Sequence, residues 1–150
     1  MPAKQNDIDL EPLLNAQQNH LASLISESSS TDAKALGIAA VNVAILIFIA
    51  QADLHFSSWG MHAALLVPYI ISLVGNLLAI LPYSYIGAGV NLESSPEYLA
   101  MDHETLVEQL ITNTEVAISH NNQLNRRRWQ YCAISLIFST VGTAILFVIL

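Results

Sequence analysis

Charge is scarce in this sequence. Its 150 residues include 5 Lys and Arg and 12 Asp and Glu, so that only 11% are charged. A water-soluble domain carries about 25%. The deficit, together with a hydrophobic share of 53%, excludes an ordinary soluble globule. Cysteine is nearly absent too. A lone Cys132 forms no intramolecular disulfide and supplies no thiolate metal cage. So few cations on a chain of net charge −7 leave little surface for displacing counterions from nucleic acid, and no nucleic-acid partner is expected. Gly-rich phosphate loops, G-x-S-x-G and H-E-x-x-H are all missing. Without such signatures no enzyme activity, cofactor or metal is expected.

What the sequence has instead is three uncharged apolar stretches, at residues 35–52, 63–81 and 131–150. About 20 such residues, at 1.5 Å each, cross the roughly 30 Å hydrocarbon layer of a bilayer. A polar, acidic segment of over thirty residues precedes the first stretch, so it does not read as a cleavable signal peptide. Buried helices of a soluble core are the competing reading, and three such runs in 150 residues weigh against it. The fold class expected is an all-α integral membrane protein of one domain, residues 1–150, with membrane lipids as its surroundings.

Positive charge sets the expected orientation. Lys4 and Lys34 precede the first span, and Arg126, Arg127 and Arg128 precede the third. The turn between the first two spans, QADLHFSSWGMH, has neither Lys nor Arg. This places the N-terminus and the 83–128 segment in the cytoplasm and the C-terminus outside. Trp59, Trp129 and Tyr131 fall at span ends, where amphipathic rings settle. His55 and His62 flank the outer turn and read as interface residues rather than metal or haem ligands.

The polar segments also read as helices. In 8–26, Leu10, Leu14, Gln17, Leu21 and Leu24 recur at threes and fours. The run Ser26 to Thr31 is expected to break that pattern, with Thr31 or Asp32 capping the first span. A second cytoplasmic helix is expected over 97–128, with Pro96 suited to a first helical position and Asp102 a further N-cap. No Gly or Pro interrupts Asp102 to Gly142, which predicts one long helix continuing into the third span. Its stripe is Val107, Leu110, Thr114, Ala117, Asn121 and Leu124. Polar Thr114 and Asn121 suit an oligomer seam, as in coiled coils. The stripe equally suits packing on helix 8–26 of the same chain.

Inside the spans, Asn42 and Asn76 are candidates for gluing helices together or for lining a hydrated path. Ser135, Ser139, Thr140 and Gly142 form a small-residue stripe suited to close helix contact. Pro68 leaves a carbonyl free one turn earlier. The three arginines, following six acidic residues between 83 and 125, read as a membrane-surface collar or as a signal site for phosphate.

Taken in order, these pieces resemble the transmembrane effector domain of Pycsar systems and the related SLATT-type effectors of bacterial anti-phage immunity. The likeness rests on Asp32, Lys34 and Ala35, on Leu81-Pro82, on Glu97-Tyr98-Leu99, Leu110-Ile111, Asn113 and Ala117-Ile118, and on Leu124-Asn125-Arg126. It covers about residues 10–150 and departs at Asn121-Asn122, where a Lys is expected. The resemblance implies an oligomeric inner-membrane effector that permeabilises or depolarises the membrane on an infection signal, often a cyclic nucleotide made by a partner enzyme. Since the sequence closes on the third span, the expectation is that a separate protein triggers it or that 83–128 senses directly. A holin-like toxin and an accessory subunit of a channel, transporter or respiratory complex are the alternatives.

Overall fold

The computed structural model describes residues 10–51, 59–87 and 100–149, and among these it is all-helical. Three helices are present: α1 (Leu10–Gln51), α2 (Trp59–Ile80) and α3 (His103–Ile149). Each is long and apolar enough to cross a membrane. Lys4, His55, Glu93, Pro96, Glu97 and the flanking ends of the expected elements lie outside the described residues.

The break expected between 26 and 31 is not there. α1 runs through it without interruption. Neither Gly nor Pro occurs in this run, and serine costs a helix only a few tenths of a kcal/mol. Thr31 is not a cap: its hydroxyl donates to the Glu27 carbonyl at 3.1 Å, one turn back. The buried and half-buried positions explain why the helix continues. Leu10, Leu14, Gln17, Leu21, Leu24, Ser28, Thr31, Ala35, Ile38, Asn42, Ile45 and Ile49 alternate by four and three along its length. This is a heptad seam, and Ser28 and Thr31 carry it in small polar residues where leucine carries it earlier.

The single helix expected from Asp102 onward is present as α3. Asp102 caps it as the sequence predicts. The Thr105 amide donates to Asp102 Oδ1 at 3.0 Å, and the Thr105 hydroxyl donates to Oδ2 at 2.9 Å. These hydrogen bonds, the backbone one foremost, hold the Asp102 carboxyl below its ordinary value. A depressed pKa means the folded state favours the carboxylate, so this contribution is full above the ordinary carboxylate range and is lost as pH falls through the lowered value. Hydrogen exchange at Thr105 and Leu106, scaled to the intrinsic amide rate at each pH, should therefore accelerate in acid. Asp102→Ala should show the fast rates at neutral pH as well.

The residues form two compact units. One comprises Met1–Ser26 and Ser84–Gln123. Here the stripe is already covered from 107 to 121: Val107, Thr114, Ala117 and Asn121 are buried within one chain, and Leu110 is half-buried. Gln17 donates to Glu115 at 3.0 Å, and His103 lies 3.4 Å from Glu11. Thr114 and Asn121 also find their partners within the chain. The Thr114 hydroxyl donates to the Leu110 carbonyl at 2.7 Å. Asn121 clasps the backbone of Ile86 from both sides, accepting its amide at 3.0 Å and donating to its carbonyl at 2.8 Å. Of the two roles open to this stripe, packing within the chain is the one seen.

The other unit comprises Glu27–Tyr83 and Leu124–Leu150. α2 contributes Leu65, Tyr69, Ser72, Asn76 and Ala79 at the same alternation of four and three, with Pro68 and Gly75 buried beside them. It ends at Ile80, two residues before Pro82, which has no amide with which to continue a helix. Small residues set how closely the helices approach. A Cβ on Gly75 would lie 3.2 Å from both the Ser135 Cβ and the Tyr131 carbonyl. One on Gly142 would lie 2.9 Å from the Tyr69 ring.

Candidate functional site: a polar core within three apolar helices

In the second unit the usual arrangement of a soluble protein is reversed. Side chains facing outward include Leu36, Val41, Ile47, Phe48, Ile70, Leu77, Ile137 and Phe147, all at least half exposed. Those facing inward include Asn42, Ser72, Asn76, Arg128, Ser135 and Ser139, all buried. Membrane helices associate in this way, through small and polar residues, because lipid offers no hydrophobic drive to hold leucine against leucine.

The core polar groups fall into three tiers. The first is built on Arg128, which is 3% exposed. Its Nε donates to the Ala79 carbonyl at 2.8 Å, and its terminal nitrogens engage the Ser28 hydroxyl and the Asp32 carboxylate. The guanidinium also sits 5.5 Å from the centroid of the Tyr83 ring. One side chain thus ties α1, α2 and α3 together. Of the three arginines proposed for a surface or signal contact, Arg128 is directed into the protein. Only Arg126 and Arg127 are exposed.

A second tier joins Asn42, Ser72, Ser135 and Ser139. The Ser139 hydroxyl donates to Asn42 Oδ1 at 2.6 Å, and Asn42 Nδ2 donates to Ser72 Oγ at 2.6 Å. Ser72 donates to the Ser135 carbonyl at 2.7 Å, and Ser135 returns a bond to the Ser72 carbonyl at 2.8 Å. Every hydroxyl proton in the tier has an acceptor. Beyond it, the Thr143 hydroxyl donates to the Ser139 carbonyl at 2.9 Å, so the 3.3 Å contact between Tyr69 and Thr143 is donated by the tyrosine.

Asn76 is the exception. It lies on the α2 seam between Ser72 and Ala79, and it is 1% exposed. Among the described residues, neither its Nδ2 nor its Oδ1 has a hydrogen-bond partner. Each buried orphan costs about 1–3 kcal/mol. The two asparagines therefore differ: Asn42 binds helices together, whereas Asn76 does not.

The sequence pattern named Asn42, Asn76, Ser135, Ser139 and Gly142, and the structure brings all five to the helix contacts of this unit. Thr140 is exposed and bonds back to Leu136. Missed were Ser28, Asp32, Tyr69 and Ser72. Register was the available signal. Ser72 sits four residues before Asn76 on one helix face, and Arg128 sits seven after Asn121. Among the described residues no cluster of His, Cys, Asp and Glu could hold a metal ion. No protein-family model, curated protein or solved structure matches the chain.

Proposed function

We propose that the chain is a multi-pass membrane effector whose three spans enclose a sealed polar core, and that a signal opens this core to ions. The apolar exterior over a polar interior is the observation that carries the reading. It is the arrangement required of helices solvated by lipid, and Asn76 supplies an unsatisfied polar group where water would enter. α1 and α3, of 42 and 47 residues, rise about 63 and 70 Å, roughly twice a bilayer core. Their surplus length forms a cytoplasmic layer, with Lys34, Arg126 and Arg127 at the inner headgroups and the N-terminus inside. This agrees with the resemblance to Pycsar and SLATT-type effectors, in which the signal is often a cyclic nucleotide made by a partner enzyme; here a separate protein delivers the signal or 83–128 senses it directly, and several copies act together. Because the stripe is already covered from 107 to 121, copies meet through the exposed apolar faces.

The test is membrane potential in phage-infected cells producing the chain with its neighbouring genes. The wild type should depolarise the cells. Asn76→Leu should abolish depolarisation at undiminished membrane abundance, since it removes a polar group that holds nothing. Asn42→Leu should lower abundance, since it breaks bonds to two helices. Depolarisation unaffected by Asn76→Leu would remove this residue from the path. A wild type that never alters the potential would end the effector reading.

A further inference from the structure

A groove of about 650 Å³ opens between α1 and α3 in the second unit. That size falls in the roughly 300–1,000 Å³ range of small-molecule sites. Its walls are apolar: Ile38 and Val41 from α1, Cys132, Ala133, Leu136 and Ile137 from α3. Lys34 and Trp129 line it as well. They stand toward the span ends from which the sequence of each helix runs into its apolar stretch. Lys34 is exposed, and among the described residues no carboxylate pairs with it, its neighbour Asp32 being engaged by Arg128. Trp129 is 62% exposed. A cation and an indole at one end, and beyond them a wall apolar except for Ser139, whose hydroxyl is turned to Asn42, match a single kind of ligand. It has a negative head and a hydrocarbon tail.

We propose that this groove is a binding site for an anionic phospholipid, its phosphate held by the Lys34 ammonium and one acyl chain lying along Ile38, Val41, Ala133 and Ile137. The assignment rests on membrane insertion but not on the opening of the polar core. Gly37 keeps the groove free. A Cβ there meets nothing within 4 Å, so a larger side chain enters the groove without disturbing the helices. Lys34 gives the headgroup preference, because a zwitterionic lipid offers the ammonium a phosphate already paired with choline. A second copy of the chain would instead bring an apolar helix, which makes no use of Lys34.

The experiment reconstitutes the full chain carrying Trp59→Phe, so that Trp129 is the sole tryptophan, into phosphatidylcholine vesicles, with insertion verified by flotation. Brominated phosphatidylglycerol or brominated phosphatidylcholine is then added at low mole fraction, and Trp129 quenching is read. Quenching by the anionic lipid should exceed that by the zwitterionic lipid several-fold. Lys34→Gln should bring the ratio close to one. Gly37→Leu should do the same while keeping or raising thermal stability, since leucine is the better helix former. Equal quenching by the two lipids in the wild type would overturn the proposal. So would a preference that survives Gly37→Leu, or a wild-type Trp129 shielded from both lipids in a protein that Gly37→Leu converts from oligomer to monomer.

Discussion

Replacing Asp32 with Ala should cost about 3 kcal/mol, because it strips the carboxylate from an arginine that stays buried. Arg128 is 3% exposed, whereas the Asp32 side chain is 38% exposed, so the two halves of the pair are not equivalent. Losing Asp32 leaves a buried cation beside the Ser28 hydroxyl, the Ala79 carbonyl and the Tyr83 ring, without the carboxylate that faced it. Losing Arg128 leaves a carboxylate that water still reaches. Arg128→Met should therefore be milder than Asp32→Ala, and the double substitution should recover part of the loss. Apparent Tm in detergent measures all three. Equal Tm values for Asp32→Ala and the wild type would mean that the buried guanidinium does not depend on its partner.

Gly142→Ala should be the second large effect. The new methyl would lie 2.9–3.2 Å from three atoms of the Tyr69 ring, and that ring is fully buried with its hydroxyl on Thr143. A ring so enclosed has no direction in which to yield, so α2 and α3 must separate. Overpacking of this kind costs about 1–3 kcal/mol. Gly37→Ala is the matched control. Its methyl meets open space, and alanine is the better helix former by about 1 kcal/mol. The two Gly→Ala changes should thus shift Tm in opposite directions, although both lie in apolar stretches of long helices. Shifts of the same sign would show that intrinsic propensity, not the Tyr69 contact, decides the outcome.

These two predictions mark where the sequence was legible and where it was not. The apolar stretches, the Pro82 stop, the Asp102 cap and the long α3 could all be read, because each depends on residues close together in the chain. The continuity of α1 was obscured by composition. Ser26 to Thr31 looks like a linker, yet Leu24, Ser28, Thr31 and Ala35 keep the spacing of the leucines before them. Three adjacent arginines gave composition no means of choosing among them. Only the heptad register of Asn121 and Arg128 singles out the one that turns inward. The partners of the polar core were the least visible part. Asn42 meets Ser72 and Ser139 across 30 and 97 residues of sequence, and nothing local records which hydroxyl faces which amide. That Asn42 is satisfied and Asn76 is not emerges only once the three helices stand together.

The central claim, that the sealed polar core becomes the path for ions, can be tested at Asn76 itself. Cys132 is the single native cysteine, so Cys132→Ala provides a background in which Asn76→Cys is the only thiol. A charged, membrane-impermeant methanethiosulfonate reagent, applied to cells before and during phage infection, reports whether water reaches that position. The account predicts no labelling at rest, where the residue is 1% exposed, and rapid labelling as the membrane depolarises. Depolarisation with position 76 still unlabelled would contradict it, because the ions would then be crossing elsewhere.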